Sequence, residues 1–190
     1  MPNWCYVTLE ANASKEELQK FYNKVIVPTP DSDEGKETLD FNAIIPMPNN
    51  VFRGNLGNAE REQCERDGIP NWYDWSCDNW GTKWNAAFTE VLWESDERLF
   101  INFATAWSYP EHVMTTMFSM FPNIEFVAKA EEESGQFYFM HHSDGTFESG
   151  SEVFFAENGN EITYDNKTDK WVDADGNTYE DYDEREIIYP

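Results

Sequence analysis

Apolar and polar residues near the amino terminus predict a strand followed by an amphipathic helix. Residues 4–10 are rich in aromatic and β-branched side chains, which favour strands. Ser14 and Glu17 then form a capping box, in which each side chain can bond the backbone amide of the other. Behind it, one apolar stripe recurs at helical spacing, formed by Leu18, Phe21, Tyr22 and Val25. Pro28 and Pro30 end the helix because proline lacks the amide hydrogen.

A hairpin is predicted further along the chain. Two strand-like runs, residues 84–94 and 98–107, surround a short polar turn. The second run alternates with period two, so that one face carries Leu99, Ile101, Phe103, Thr105 and Trp107.

A second helix and another strand follow the hairpin. A capping box from Ser108 to Glu111 opens the helix, with Pro110 in the first turn, where its missing amide hydrogen does no harm. The buried stripe of this helix is Met114, Met117, Phe118 and Phe121. Residues 124–130 then return as a strand.

The order of these elements predicts a fold of the α+β class. Strand, helix, strand, strand, helix, strand is the β-α-β-β-α-β arrangement of a ferredoxin-like fold. Each helix has a single apolar stripe, so both helices must cover the same face of the sheet. The departure is a long insertion after the first helix, at residues 27–82. We therefore predict a ferredoxin-like domain over residues 1–131 that contains this insertion.

Residues 132–190 predict an acidic antiparallel β-meander. Short aromatic or β-branched runs are separated by dipeptides typical of type I′ hairpin turns, namely Asp144-Gly145, Asn158-Gly159 and Asp175-Gly176. From residue 131 onward the chain holds 17 acidic and 3 basic residues. We expect this extension to lengthen or flank the ferredoxin-like sheet.

The net charge narrows the range of partners. The 190 residues include 37 acidic and 13 basic side chains, which gives a formal net charge of −24 at pH 7. Such a field repels polyanions, so we expect no direct binding to nucleic acid or to a membrane surface. A partner with a basic surface is favoured instead. No long apolar run or signal peptide is predicted, and three scattered cysteines indicate reduced thiols, so we expect a cytoplasmic protein.

Residues 71–85 concentrate tryptophans in a segment whose Asn, Asp, Ser and Gly content predicts a loop. One interpretation is a stacking platform for a base, a sugar or a peptide, formed by Trp72, Trp75, Asn79, Trp80, Lys83 and Trp84. The other is that the rings seat the insertion on the sheet. We favour the second, because the net charge argues against a nucleotide polymer as the ligand.

No catalytic, metal or cofactor site is predicted. His141 and His142 are adjacent, so on a strand their side chains point to opposite faces. The segment Asp173–Asn177 is similar to part of a calcium loop, but Trp171 and Tyr182 would occupy positions that need carboxylates. We favour an acidic hairpin turn there, with weak calcium binding as the alternative. Nucleophile motifs and C-x-x-C pairs are absent from the sequence, so we do not expect an enzyme.

Five ordered motifs are similar to those of a known family: Met1–Tyr6, Leu39–Asn42 with Ile44–Pro48, Trp72–Trp75, Asn79–Asn85, and Thr105–Ser108 with Pro110. Over residues 1 to about 130, the chain resembles the YubB ferredoxin-like family of small proteins carried by bacteriophages and conjugative plasmids. The resemblance implies a ferredoxin-like fold and an origin in a mobile genetic element. It implies no catalytic residue.

Acidic side chains of the carboxyl-terminal part form the other candidate site: Glu131, Glu132, Glu133, Asp173, Asp175, Glu180, Asp181, Asp183, Glu184 and Glu186. Carboxylates on alternate residues of a strand lie about 6–7 Å apart. Several such strands could imitate part of the phosphate array of duplex DNA, which has about one charge per 1.7 Å of axis. The alternative is a solvated face that confers only solubility.

These observations predict a non-catalytic interaction protein of a phage or plasmid. Its acidic surface would bind and block a basic, nucleic-acid-handling host protein such as a defence nuclease, in the manner of a DNA mimic. The alternatives are a small-ligand-binding protein or enzyme that uses the tryptophan-rich stretch, and a plain structural module.

Overall fold

The structure is a computed structural model of the chain, and it describes residues 2–28, 36–133, 137–143, 146–148 and 151–188. The chain divides into two compact units, Met1–Phe147 and Glu148–Pro190. This division falls further along the chain than the predicted domain boundary between residues 131 and 132. Within the described ranges, no helix is long and apolar enough to cross a membrane.

The first unit combines helices with an antiparallel sheet. Its helices are α1 (Lys15–Val25), α2 (Asn58–Asp67), α3 (Trp72–Trp80) and α4 (Glu111–Met120), with a short 3-10 helix at Phe41–Ala43. Its strands are β1 (Trp4–Asn12), β2 (Ile26–Pro28), β3 (Glu37–Leu39), β4 (Ala87–Trp93), β5 (Arg98–Ala106), β6 (Glu125–Glu132), β7 (Phe137–Ser143) and β8 (Thr146–Glu148). Strands β2 and β3 form a two-stranded ribbon, and the other six form one sheet in the order β4-β5-β1-β6-β7-β8.

Strand β1 places the core on one face of this sheet. It pairs antiparallel with β5 on one side and with β6 on the other. Its inward side chains, Cys5, Val7, Leu9 and Ala11, are at most 2% exposed, whereas Tyr6 between them is 54% exposed. The stripes of α1 (Leu18, Phe21, Val25) and α4 (Val113, Met114, Met117, Phe118) join the same core. Both helices therefore cover one face, and the mixed α/β composition with antiparallel sheets agrees with the predicted α+β class.

Residues 71–85 do not form the predicted loop. Most of the segment is helix α3, which ends at Gly81 with a left-handed φ of 78°. The side-chain oxygen of Asn71 caps the helix by accepting hydrogen bonds from two amides of the first turn, at 3.1 and 3.0 Å. Asn, Asp and Ser favour helix caps as well as turns, so their presence did not distinguish the two.

Trp80 anchors α3 to the core. Its ring is 4% exposed, and its indole N–H donates to the carbonyl oxygen of Ile45 at 2.9 Å. The rings of Trp75 and Phe41 meet it edge to face, with centroids 5.5 and 5.8 Å away. Burial of these rings holds the inserted segment against the sheet.

The two predicted capping boxes differ in outcome. At α1, the hydroxyl of Ser14 accepts from the Glu17 amide at 3.4 Å, as predicted. At α4, the prediction that Ser108 caps the helix is wrong, because the helix begins only at Glu111. The Ser108 hydroxyl instead donates to the carbonyl oxygen of Gly81 at 2.5 Å, and so ties the end of α3 to the segment before α4.

The second unit is an antiparallel sheet of short strands. These are β9 (Ser151–Phe155), β10 (Glu161–Asp165), β11 (Lys170–Asp173), β12 (Thr178–Tyr179) and β13 (Glu184–Ile188), in the order β12-β11-β10-β9-β13. Gly159 and Gly176 have φ values of 80° and 83°, so each glycine takes the left-handed conformation expected of a turn. The prediction of type I′ turns is wrong, because that type requires a positive φ at Asn158 and Asp175 as well, and neither residue has one. The remaining predicted turn, Asp144-Gly145, lies outside the described residues.

Replacing Trp80 and Trp84 separately by alanine tests the anchoring role of Trp80. We expect Trp80→Ala to lower the free energy of unfolding by about 3–5 kcal/mol, as for other buried aromatic truncations. Trp84 is 38% exposed, so we expect Trp84→Ala to cost only about 1–2 kcal/mol. Chemical denaturation of both variants measures the difference, and equal losses would contradict the assignment.

Candidate functional site

The six residues of the predicted stacking platform do not all lie at the surface. Trp80 lies in the core with Trp75 packed against it. The indole N–H of Trp72 donates to the carbonyl oxygen of Gly54 at 3.1 Å. The side-chain amide of Asn79 donates to the carbonyl oxygen of Trp75 at 2.8 Å, within α3. The indole N–H groups of Trp72 and Trp80 thus join different parts of the inserted segment, whereas Asn79 bonds within its own helix.

Trp84 belongs to another group of rings, which we call the surface aromatic cluster and define as Trp4, Trp84 and Phe88. The Trp4 ring lies 6.3 Å from Trp84 and 5.0 Å from Phe88, centroid to centroid. The ammonium nitrogen of Lys83 lies 4.3 Å from the Trp84 centroid, within cation–π range. Phe88 is 71% exposed. This end of the sheet therefore presents aromatic surface together with an ammonium group.

Phe88 holds a backbone conformation that L-residues rarely adopt. Its φ is 54°, in the left-handed region. The residue lies in a β-bulge, because the register between β4 and β5 shifts between Ala87 and Glu90. The neighbouring Thr89 turns inward, where its hydroxyl accepts from the amide of Leu39 at 3.1 Å. The bulge thus directs the Thr89 side chain toward the ribbon of β2 and β3 and leaves the Phe88 ring exposed.

Trp107 is a further exposed ring with a positive φ. The prediction that it shares the buried face of β5 is wrong, because the strand ends at Ala106 and Trp107 is 54% exposed. Its φ is 75°, and its amide donates to the carbonyl oxygen of Asn3 at 2.9 Å. The chain turns at this residue toward α4, so the alternation of β5 does not extend to it.

The sequence contained a signal for part of the surface aromatic cluster. Alternation in β1 places Trp4 and Tyr6 opposite Cys5 and Val7, and the single stripe of each helix leaves that face uncovered. Phe88 had no comparable signal, because positive φ at a bulge is usually associated with Gly or Asn.

The predicted acidic surface divides between the two units. Exposed carboxylates are Glu131 and Glu133 in the first unit, and Asp175, Glu180, Asp181, Asp183, Glu184 and Glu186 in the second. Glu132 and Asp173 are only 5% and 8% exposed, so these two do not belong to a surface. Glu132 lies inward because it continues the alternation of Ala128 and Ala130 along β6 and pairs with Cys5.

Asp173 instead organises the turn regions of the second unit. Its carboxylate accepts from the backbone and the side-chain amide of Asn177 at 2.8 and 3.0 Å, and from the Asn160 amide at 3.0 Å. The Tyr179 hydroxyl donates to it at 2.9 Å. These bonds, above all the one from the Asn177 side chain, hold the pKa of Asp173 well below its usual range. The carboxylate is thus engaged by protein donors, as in an acidic hairpin turn.

The environment of the thiols does not favour nucleophilic chemistry. Cys5 is fully buried, and desolvation raises the pKa of its thiol to about 11. Burial, followed by the nearby carboxylates of Asp74 and Asp78, also raises the pKa of Cys77. Both groups are therefore mostly protonated at neutral pH, whereas thiolates are the reactive form.

Fold and surface together define an α+β protein that displays aromatic rings on a sheet face and carboxylates on a small second sheet. The chain belongs to the family described as the ferredoxin-like domain in Api92-like protein, whose model matches residues 79–189. It is similar to the crystal structure of protein api92 from Yersinia pseudotuberculosis, with a TM-score of 0.50 and 9% identity over 76% of this chain and 95% of that one. At that identity, the likeness concerns the fold alone.

These comparisons confirm the prediction of a ferredoxin-like fold. They do not test the resemblance of residues 1 to about 130 to YubB proteins or the origin in a mobile element, and both stay predictions. The matched residues 79–189 also include the carboxyl-terminal part that the motifs left out. No curated protein matches the chain.

Glycine and alanine at position 88 test whether the bulge is strained. Both substitutions remove the ring, but only glycine adopts a positive φ without steric cost. We expect Phe88→Gly to be more stable to unfolding than Phe88→Ala by about 1 kcal/mol. Thermal and urea unfolding of the two variants give this difference directly. If Phe88→Ala were the more stable of the two, the strain would not exist in solution.

Proposed function

We propose that the chain is a non-catalytic interaction protein of a mobile genetic element, a phage or a plasmid. Its acidic second unit binds the basic, nucleic-acid-binding surface of a host protein in the host cytoplasm, such as a defence nuclease, and blocks it. In this proposal, the second unit is the predicted acidic β-meander, added to a β-α-β-β-α-β domain that serves as its scaffold.

The imbalance of charge in the second unit carries the proposal. Residues 148–190 hold 13 acidic and 3 basic residues, a formal net charge of −10. One of the bases, Lys170, already lies 2.6 Å from the carboxylate of Glu180. Charges on one side of an interface steer a complementary partner and reject partners of the same sign. A basic surface is therefore the complement of this unit.

The exposed carboxylates also have a spacing that suits a polyanion-binding partner. Glu184 and Glu186 are exposed alternate residues of β13, and alternate strand residues lie about 6–7 Å apart on one side. Asp181 and Asp183 immediately precede them and are exposed as well. A short sheet holds such charges in fixed positions, so the entropy lost on binding is smaller than for a disordered acidic tail.

Displacement of DNA tests the proposal. The probe is a basic, sequence-independent DNA-binding protein holding a fluorescent duplex, which the chain should displace. We expect the triple variant Asp181→Lys, Asp183→Lys and Glu184→Lys to need a concentration at least about tenfold higher for half displacement, because it reverses charges at the binding surface.

A matched control separates the surface from the total charge. Glu65, Glu90 and Glu97 are exposed carboxylates of the first unit. Their replacement by lysine changes the net charge by the same amount, but we expect displacement to change by less than about twofold, since isolated surface charges contribute little. Equal losses in the two triple variants would show that only the total charge matters, and would contradict the proposed surface.

A further inference from the structure

Four aromatic rings form one connected layer on the second unit: Phe154, Tyr164, Trp171 and Tyr182. Trp171 lies at the centre, with ring centroids 4.6 Å from Phe154, 5.2 Å from Tyr164 and 5.3 Å from Tyr182. Phe154 and Tyr182 are also in contact, at 4.9 Å. We call these rings the aromatic layer.

Strand register explains why the rings gather on one face. Tyr164 of β10 pairs directly with Trp171 of β11, and Ile162 of β10 pairs with Phe154 of β9. Paired and alternate residues of antiparallel strands share a face. Ile162 on that face is 1% exposed, whereas Tyr164 and Tyr182 keep 44% and 38% of their surface in solvent. The layer thus covers a small core with its inner side and leaves ring surface on the outer side.

Carboxylates accompany the exposed rings, in space at Tyr164 and in sequence at Tyr182. The Tyr164 hydroxyl donates to the carboxylate of Asp169. Asp181 and Asp183 are the sequence neighbours of Tyr182, and both are exposed. Aromatic faces and carboxylates attract the same kind of group, a planar cation that is weakly hydrated.

We infer that the aromatic layer binds arginine side chains of the basic partner. This inference rests on the proposed function and adds the chemistry that its partner must present. Guanidinium groups stack on the rings of Tyr164 and Tyr182 and pair with the adjacent carboxylates of Asp169, Asp181 and Asp183. Lysine satisfies this arrangement less well, because its ammonium is strongly hydrated and has no planar face to stack. The occupant is therefore an arginine-rich surface, and charge alone does not define it.

Two peptides of equal charge, nona-arginine and nona-lysine, test the inference with the full chain. We expect nona-arginine to bind at least about threefold more tightly at about 50 mM NaCl, since exposed cation–π contacts are individually weak and several act together. Isothermal titration calorimetry measures both affinities. Equal affinities for the two peptides would overturn the inference while leaving a charge-driven surface intact. Absence of salt-dependent binding to either peptide would overturn the proposed function itself.

A double variant, Tyr164→Leu and Tyr182→Leu, attributes the preference to the rings. Leucine retains apolar bulk over the small core but has no π face. We therefore expect the ratio of the affinity for nona-arginine to the affinity for nona-lysine to fall to about one. Tyr6→Leu is the control, because Tyr6 is 54% exposed on the first unit and its loss should leave the preference unchanged. A preference that persists in the double variant, or that disappears in the control, would overturn the inference. Should the double variant fail to fold, as circular dichroism would show, the comparison of the two peptides on the unaltered chain decides.

Discussion

The alternation of side chains along β1 is the constraint on which the first unit depends. This strand lies between β5 and β6, so each of its residues has paired neighbours on both sides. Its odd-numbered side chains, from Cys5 to Ala11, meet the stripes of α1 and α4 in one core. The even-numbered side chains necessarily face the other way. The exposure of Tyr6 and the position of Trp4 in the surface aromatic cluster both follow from this alternation.

Helices α1 and α4 cover one face of the sheet, and aromatic rings lie on the other face. Trp4, Trp84 and Phe88 gather there although Phe88 must adopt a positive φ, a cost on the order of 1–3 kcal/mol. In the described part of the second unit, the aromatic layer rather than a helix shields Ile162, and its rings remain partly exposed. Aromatic residues suit both situations, because a large flat ring can bury one side and present the other.

Elements with a strong period were predictable from the sequence, and their ends were not. The stripe of α1, the stripe of α4 as far as Phe118 and the alternation of β5 as far as Thr105 appear where the pattern placed them, whereas Phe121 lies beyond the end of α4. Residues 71–85 were not predictable as a helix, because the residues that cap a helix are also those that form turns. Trp107 departs from its strand through a backbone bond to Asn3, a residue far away in the sequence. The bulge at Phe88 likewise depends on a contact between Thr89 and Leu39, which no local pattern contains.

The candidate site shows the same division. Exposure of Asp181, Asp183, Glu184 and Glu186 follows from their local sequence, whereas the burial of Asp173 requires donors from Asn160 and Tyr179 on other parts of the sheet. Glu132 was predictable in principle, since the alternation of β6 already assigns it to the core face. In the second unit, the exposed carboxylates of Asp181 and Asp183 are sequence neighbours of the exposed ring of Tyr182, a combination that fits a basic partner better than charge alone.

The dependence of binding on ionic strength tests the central claim most directly. The measurement is the dissociation constant of the unaltered chain with a basic DNA-binding protein, taken between about 50 mM and about 500 mM NaCl, where screening of surface charges becomes strong. We expect the complex to weaken by about a hundredfold or more across this range, because complementary charge drives the encounter. A dissociation constant that stays the same across the range would contradict the claim that the acidic second unit binds through its charge.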